Sequence, residues 1–151
     1  MAQQLSVFID NRPGRLNAVT AILRDAGIDI RAMTIADHRD YGVAKLLVSD
    51  PQQAQRVLME QGFAAALQPV LAVAIEDRPG GLHVLLEVLA RHQINVVDAY
   101  GFVSEPGCWA IWCMAVADQP AAARLVTAAG LRVLSAAELY HGDPGAPAAA
   151  Q

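Results

Sequence analysis

Residues Ile9-Asp10-Asn11-Arg12-Pro13-Gly14-Arg15-Leu16 return sixty-six positions later as Ile75-Glu76-Asp77-Arg78-Pro79-Gly80-Gly81-Leu82, each copy set between an alternating apolar run and a helical pattern. The chain is therefore an internal duplication, and its 151 residues divide into two units rather than one average domain. Units of that size bury only about 60% of their unfolded surface, so the copies are expected to share a sheet, a core or a partner chain.

Ahead of each repeat, Leu5, Val7 and Ile9 alternate with Ser6 and Phe8, and Leu71, Val73 and Ile75 take the matching places, which predicts one strand before each turn. After the turn, Leu16, Val19, Ile22, Leu23 and Ala26 recur at helical spacing, matched by Leu82, Leu85, Val88 and Leu89. Gly27 ends the first helix, whereas Gln93 stands at that place in the second copy, so the second turn has to be made without glycine. Second strands run from Ile28-Asp29-Ile30 and Ile94-Asn95-Val96 to about Asp37 and Val103. Short turns lead to third strands, Val43 to Val48 and Cys108 to Val116. Asp50-Pro51 and Asp118-Gln119-Pro120 start second helices that stop at Gly62 and Gly130, and fourth strands are predicted over Phe63 to Pro69 and Arg132 to Leu139.

The order strand, helix, strand, strand, helix, strand predicts an α+β fold of two ferredoxin-like βαββαβ units, each an antiparallel four-stranded sheet with two helices on one face. The expected division is 1–69, 70–141 and a disordered tail, 142–151, rich in Gly, Pro and Ala. Val84 and Leu86 add apolar bulk off the main stripe of the second copy's first helix, where the first copy has Ala18 and Thr20. Either a second chain or a wider core would cover them.

Composition narrows the function. Fifteen acidic against eleven basic residues, with no run of either sign, argue against nucleic acid. The longest apolar stretch is too short to span a bilayer, and the first residues carry no basic segment, so no membrane partner and a cytoplasmic location are expected. Cys108 and Cys113 are read as buried free thiols on opposite faces of a strand. Trp109 and Trp112, three apart, also fall on opposite faces, so at most one faces the core. No histidines or cysteines stand at metal-ligand spacing, and no Ser, Cys or Lys has a plausible base; no metal, no cofactor and no catalysis are expected.

An Asn-Arg-Pro-Gly-x-Leu turn after a short strand, with Gly27-Ile28-Asp29-Ile30 beginning thirteen residues after Gly14, resembles the ACT domain, a small regulatory module. Asp77 to Leu82 with Ile94-Asn95-Val96 resembles it again, and the two matches cover roughly residues 4 to 140. The resemblance implies a free-standing tandem ACT protein that senses an amino acid or similar metabolite. In such modules the ligand lies between two ACT units, held by the turn of one and the start of the second strand of the other. Carried onto this chain, the implied ligand residues are Asn11, Arg12, Pro13, Gly14, Arg15 and Leu16 with Asp29 and Ile30, and Asp77, Arg78, Pro79, Gly80, Gly81 and Leu82 with Asn95 and Val96. The family pattern pairs Asn11 with Asn95 and Asp77 with Asp29, which makes the amide pair the better amino-acid site. It also implies a homodimer and a metabolic enzyme or transcriptional partner.

The residues themselves suggest how such a turn holds an anion. Pro13 at the first helical position puts Arg12 near the N-cap, where it has no acceptor, leaving the N–H groups of Gly14, Arg15 and Leu16 open in front of the helix dipole. Gly14 would let a ligand approach closely. The Pro-Gly turn also reads as a plain tight connection, and Asn11, Asp29, Asp77 and Asn95 as solvated turn residues. The alternative function is a protein–protein interaction module with degenerate pockets. A ferredoxin-like phosphatase is a further rival, whose Gly-rich phosphate loop the chain lacks.

Overall fold

The computed structural model describes residues 1–142, so the expected disordered tail lies outside the described residues apart from Gly142. The chain divides into two compact units, Gln3–Gln68, and Met1–Ala2 together with the chain from Pro69 onward. In the first unit the elements are β1 (Ala2–Asp10), α1 (Arg15–Asp25), β2 (Ile30–Asp37), β3 (Tyr41–Val48), α2 (Pro51–Glu60) and the start of β4 (Ala64–Glu76), with strand order β2-β3-β1-β4. The second unit takes the rest of β4, then α3 (Gly81–Arg91), β5 (Val96–Glu105), β6 (Trp109–Val116), α4 (Gln119–Ala128), β7 (Arg132–Val133) and α5 (Ala136–His141). Its strand order, β5-β6-β4-β7, repeats the first. β3 pairs antiparallel with β1 and β2, and β6 and β7 pair antiparallel with β4, as β5 does with β6. The fold is the expected pair of ferredoxin-like units.

Each unit closes over its own core by the alternation the sequence shows. Leu5, Val7 and Ile9 of β1 and Ala44, Leu46 and Val48 of β3 meet Val19 and Leu23 of α1 and Ala54 and Leu58 of α2. In the second unit Leu71, Val73 and Ile75 join Met114, Val116, Leu85, Leu89, Ala122 and Val126. Full burial of one such large side chain stabilises by about 1.5–3 kcal/mol.

Three sequence expectations are corrected. The fourth strand of the first copy and the first strand of the second are one uninterrupted strand, β4. The strand expected over Arg132 to Leu139 stops after Val133, because Ser135 starts α5 with a capping box: its hydroxyl accepts from the Glu138 N–H at 3.2 Å, and the Glu138 carboxylate accepts from the Ser135 N–H at 2.8 Å. Cys108 lies in the turn ahead of β6 and is exposed, while Cys113 is buried; both are free. Trp112 packs on the helix-side core of its unit. No helix among the described residues is long and apolar enough to cross a membrane.

Where the first copy turns out of α1 through Gly27 at φ 70°, the second turns out of α3 through Gln93 at φ 56°. A side chain in this left-handed region costs roughly 1–2 kcal/mol. Gln93→Gly is expected to leave the fold unchanged and raise stability by about 0.5–1 kcal/mol, the gain being offset partly by the freer unfolded chain, as read by urea unfolding.

The Ser135 hydrogen bonds and the Arg132 guanidinium, at 2.7 Å, hold the Glu138 carboxyl down at about 2, below its usual 4.5. A depressed acid stabilises the fold fully above the unfolded value and loses that contribution as pH falls through the folded one. Glu138→Ala is therefore expected to cost about 1 kcal/mol at neutral pH, the worth of a cap. That difference between the variant and the parent should fade between pH 4.5 and about 2 in acid-unfolding curves.

Candidate functional site

Two kinds of helix start occur in each unit. α2 and α4 begin with an aspartate and a proline: Asp50 accepts from the Gln53 N–H and Asp118 from the Ala121 N–H, both at 2.9 Å. α1 and α3 begin at the repeated Pro-Gly turns, and no side chain caps either. The chain thus places caps at two of these starts and withholds them at the two that carry the repeat.

The geometry of those turns corrects the sequence reading. The N–H of Arg15 donates to the carbonyl of Arg12 at 3.3 Å, with Gly14 at φ 85°, ψ −12°; that of Gly81 donates to Arg78 at 3.0 Å, with Gly80 at φ 86°, ψ −9°. These are the dihedrals of a type II turn, with Pro at its second position and Gly at its third. Pro13 and Pro79 therefore lie in the turn, and Gly14 and Gly80, rather than Arg12 and Arg78, are the N-caps. Of the three N–H groups expected to be open, Arg15 closes the turn, while Gly14 and Leu16 have no partner among the described residues. A methyl at Gly14 would meet no protein atom within 4 Å, so what calls for glycine within the chain itself is the positive φ of the turn. Gly81 differs: a methyl there would overlap the Glu76 carbonyl oxygen.

Beside the first turn lies a concavity of about 140 Å³. Its apolar side is Ile9, Leu16 and Ile35, its polar side Asp10, Asn11, Arg12 and Asp37, and Gly42 completes the lining. Arg12 pairs with Asp10 at 2.8 Å and holds that carboxyl below its usual range. Arg15 lies 3.6 Å from the same acid, and its guanidinium sits over the Phe63 ring, 4.6 Å from the centroid, so it is an edge of the site rather than part of the lining.

Asn11 has a structural task. Its side-chain nitrogen donates to the Arg39 carbonyl at 2.9 Å and to Asp37 at 3.2 Å, tying down the β2–β3 hairpin, whose tip residue Arg39 stands at φ 69°. Its amide donors are thus engaged, leaving the carbonyl oxygen for a ligand. Asp77 does the same work with reversed polarity: its carboxylate accepts from the N–H of Gly107, at φ 73°, at 2.8 Å. The difference follows from the neighbour, because the cross-strand pair Asp37–Gly42 of the first unit is Val103–Ala110 in the second.

The structure does not bring every expected residue of one unit together. Asp29 and Ile30 line a separate concavity with Thr20, Arg24, Gly27 and Ile28, and Arg31 pairs with Asp29 at 3.3 Å. In the second unit Arg78 pairs with Glu76, Leu82 packs on the core, Asn95 is exposed and Val96 is half-buried against the core. The sequence reading missed Ile35, Asp37 and Gly42, which come from the hairpin rather than the repeat; only the strand register places them beside Asn11. No group of three or more His, Cys, Asp or Glu able to hold a metal ion occurs among the described residues.

The sequence matches the ACT domain pair family over residues 1–136, and the chain belongs to that family. Among solved structures it is similar to a protein of Bacteroides thetaiotaomicron, at 28% identity and a TM-score of 0.88, covering 93% of this chain and 96% of that one. It also resembles the regulatory subunits of aspartate kinase from Thermus thermophilus, in a ligand-free form (19% identity, TM-score 0.63, 84% and 91% covered), and Thermus flavus (20%, 0.58, 85% and 92%). These last two likenesses concern the fold. Comparison with curated proteins finds no match.

Because Asn11 donates to Asp37, Asn11→Asp sets two carboxylates against each other and removes both donated bonds. A loss of about 1–3 kcal/mol is expected at neutral pH, partly recovered in acid as one carboxyl protonates, whereas Asp77→Asn costs less because an amide oxygen still accepts from Gly107. Paired unfolding curves at two pH values check this.

Proposed function

We propose that this ACT domain pair is a non-catalytic regulator that binds an amino acid or similar small metabolite at its first Pro-Gly turn. The observation that carries the proposal is the contrast in helix starts: α2 and α4 are capped by their own aspartates, while α1 starts uncapped beside a concavity of both apolar and charged lining. In this reading a carboxylate takes the open N–H groups of Gly14 and Leu16 at the positive end of the helix dipole, an interaction of about 0.3–1 kcal/mol when exposed and ~2 when partly buried. The ammonium takes the oxygens of Asp37 and Asn11, and the side chain rests on Ile9, Leu16 and Ile35.

Asn95 is the proposed complement of Asn11, and Asp29 that of Asp77, as the family pattern has it. The second pairing would set two acids beside one ligand, and Arg31 beside Asp29 and the Gly107 N–H beside Asp77 already compensate them in part. The chain is proposed to act in the cytoplasm as a homodimer and to pass ligand binding to a metabolic enzyme or transcriptional partner. Such transmission requires only that the ligand bind one arrangement more tightly than another. The exposure of Val84 and Leu86 favours the second reading, an interaction module with degenerate pockets.

Thermal shift of the full chain against the twenty amino acids, one at a time, separates the two readings. A ligand at a hundred times its dissociation constant stabilises by about 2.7 kcal/mol, and one or a few amino acids should do so. Gly42→Ala should reduce the shift while keeping the fold, because an added methyl there meets Ile9, Ile35 and Ala36 only at 3.5–3.6 Å, ordinary contact. Twenty flat responses would leave the interaction module standing.

A further inference from the structure

The two turns repeat in backbone but not in what surrounds them. Ile35 faces Ala44 across β2 and β3; at the matching register of β5 and β6, Gly101 faces Trp112. The exchange is one of volume. A methyl added at Gly101 would overlap the six-membered ring of Trp112, so the indole lies in the space a side chain at position 101 would use. One step nearer the turn, the pair Asp37–Gly42 becomes Val103–Ala110. The polar group that faces Asn11 is thereby lost, and the lining glycine gains a methyl. Gly81, pressed against the Glu76 carbonyl, replaces Arg15.

We propose that the chain holds metabolite at one turn only: the concavity beside Asn11 is open, and its counterpart beside Asp77 is shut by the indole of Trp112 lying over Gly101. The inference rests on the proposed function and goes beyond it, since a duplicated motif by itself implies two sites. Trp112 is half-buried, and its ring nitrogen is fully buried with no hydrogen-bond partner among the described residues. A buried, unpaired donor is costly. An indole held there without such a bond is seated by its packing.

Closure and binding are tested separately. In a Trp109→Phe variant Trp112 is the sole tryptophan. Its emission should be blue-shifted and quenched slowly by acrylamide, unlike that of a solvated indole; red-shifted, fast-quenched emission would overturn the closure, whatever binds elsewhere. Methyl NMR of the full chain, titrated with a mixture of the twenty amino acids at about 1 mM each, the weak end of the affinity expected for such ligands, then locates binding. Shifts are expected at Ile9, Leu16 and Ile35 and to be absent at Ile75 and Leu82. Equal shifts at both turns would overturn the single-site inference while leaving the proposed function intact; shifts at the second turn alone would overturn the inference and the first-turn site together. Silence at both, with Trp112 shielded, would overturn the proposed function and the inference with it.

Discussion

The hydrogen bond that closes each Pro-Gly turn, from residue 15 to the carbonyl of Arg12 and from Gly81 to that of Arg78, sets the direction of the chain in both units. It needs a positive φ at its third position, which Gly14 and Gly80 provide, and it ends β1 and β4 at a fixed angle to α1 and α3. With the turn so closed, a glycine stands where a capping Ser, Thr, Asp or Asn would be, so the helix starts are left to whatever the solution supplies. The same turn brings Asn11 and Asp77 against the tips of their hairpins, which places the strand bearing Ile35 and Asp37 beside the first helix start.

The fold was legible because duplication doubled every signal. Two copies of one hydrophobic pattern, in one order, exclude most accidents of periodicity, and the Asp-Pro starts of α2 and α4 were readable as caps from their residue types alone. The failures have particular causes. Proline opening a helix and proline at the second position of a turn look alike in sequence; the glycine directly after it in both copies was the discriminating sign. The chain after Gly130 reads as a strand because Val133 and Leu134 are apolar, although the Ser135-to-Glu138 spacing was a visible capping box.

The site was half legible. Asn11, Arg12 and Leu16 belong to the repeat, and the repeat announced them. Ile35, Asp37 and Gly42 are remote in the chain, and their place beside the turn depends on which residue of β2 faces which of β3, a register that single-sequence periodicity does not fix. The difference between Asn11 and Asp77, which read as a difference in ligand preference, has a nearer explanation in the group each must hold: a carbonyl and a carboxylate in one unit, an N–H in the other. A polar residue at a turn can thus look like a recognition element while acting as a fastener, and in this chain Asn11 has an atom to spare for both.

The exchange of Ile35–Ala44 for Gly101–Trp112 also ties the two positions of each pair to one another. Between these pairs, a route through isoleucine and tryptophan would crowd two large groups into one space, whereas a route through glycine and alanine leaves a void of modest cost. In the second unit a side chain at position 101 is therefore admitted only together with a smaller residue at 112. No single substitution on either strand therefore converts one pair into the other.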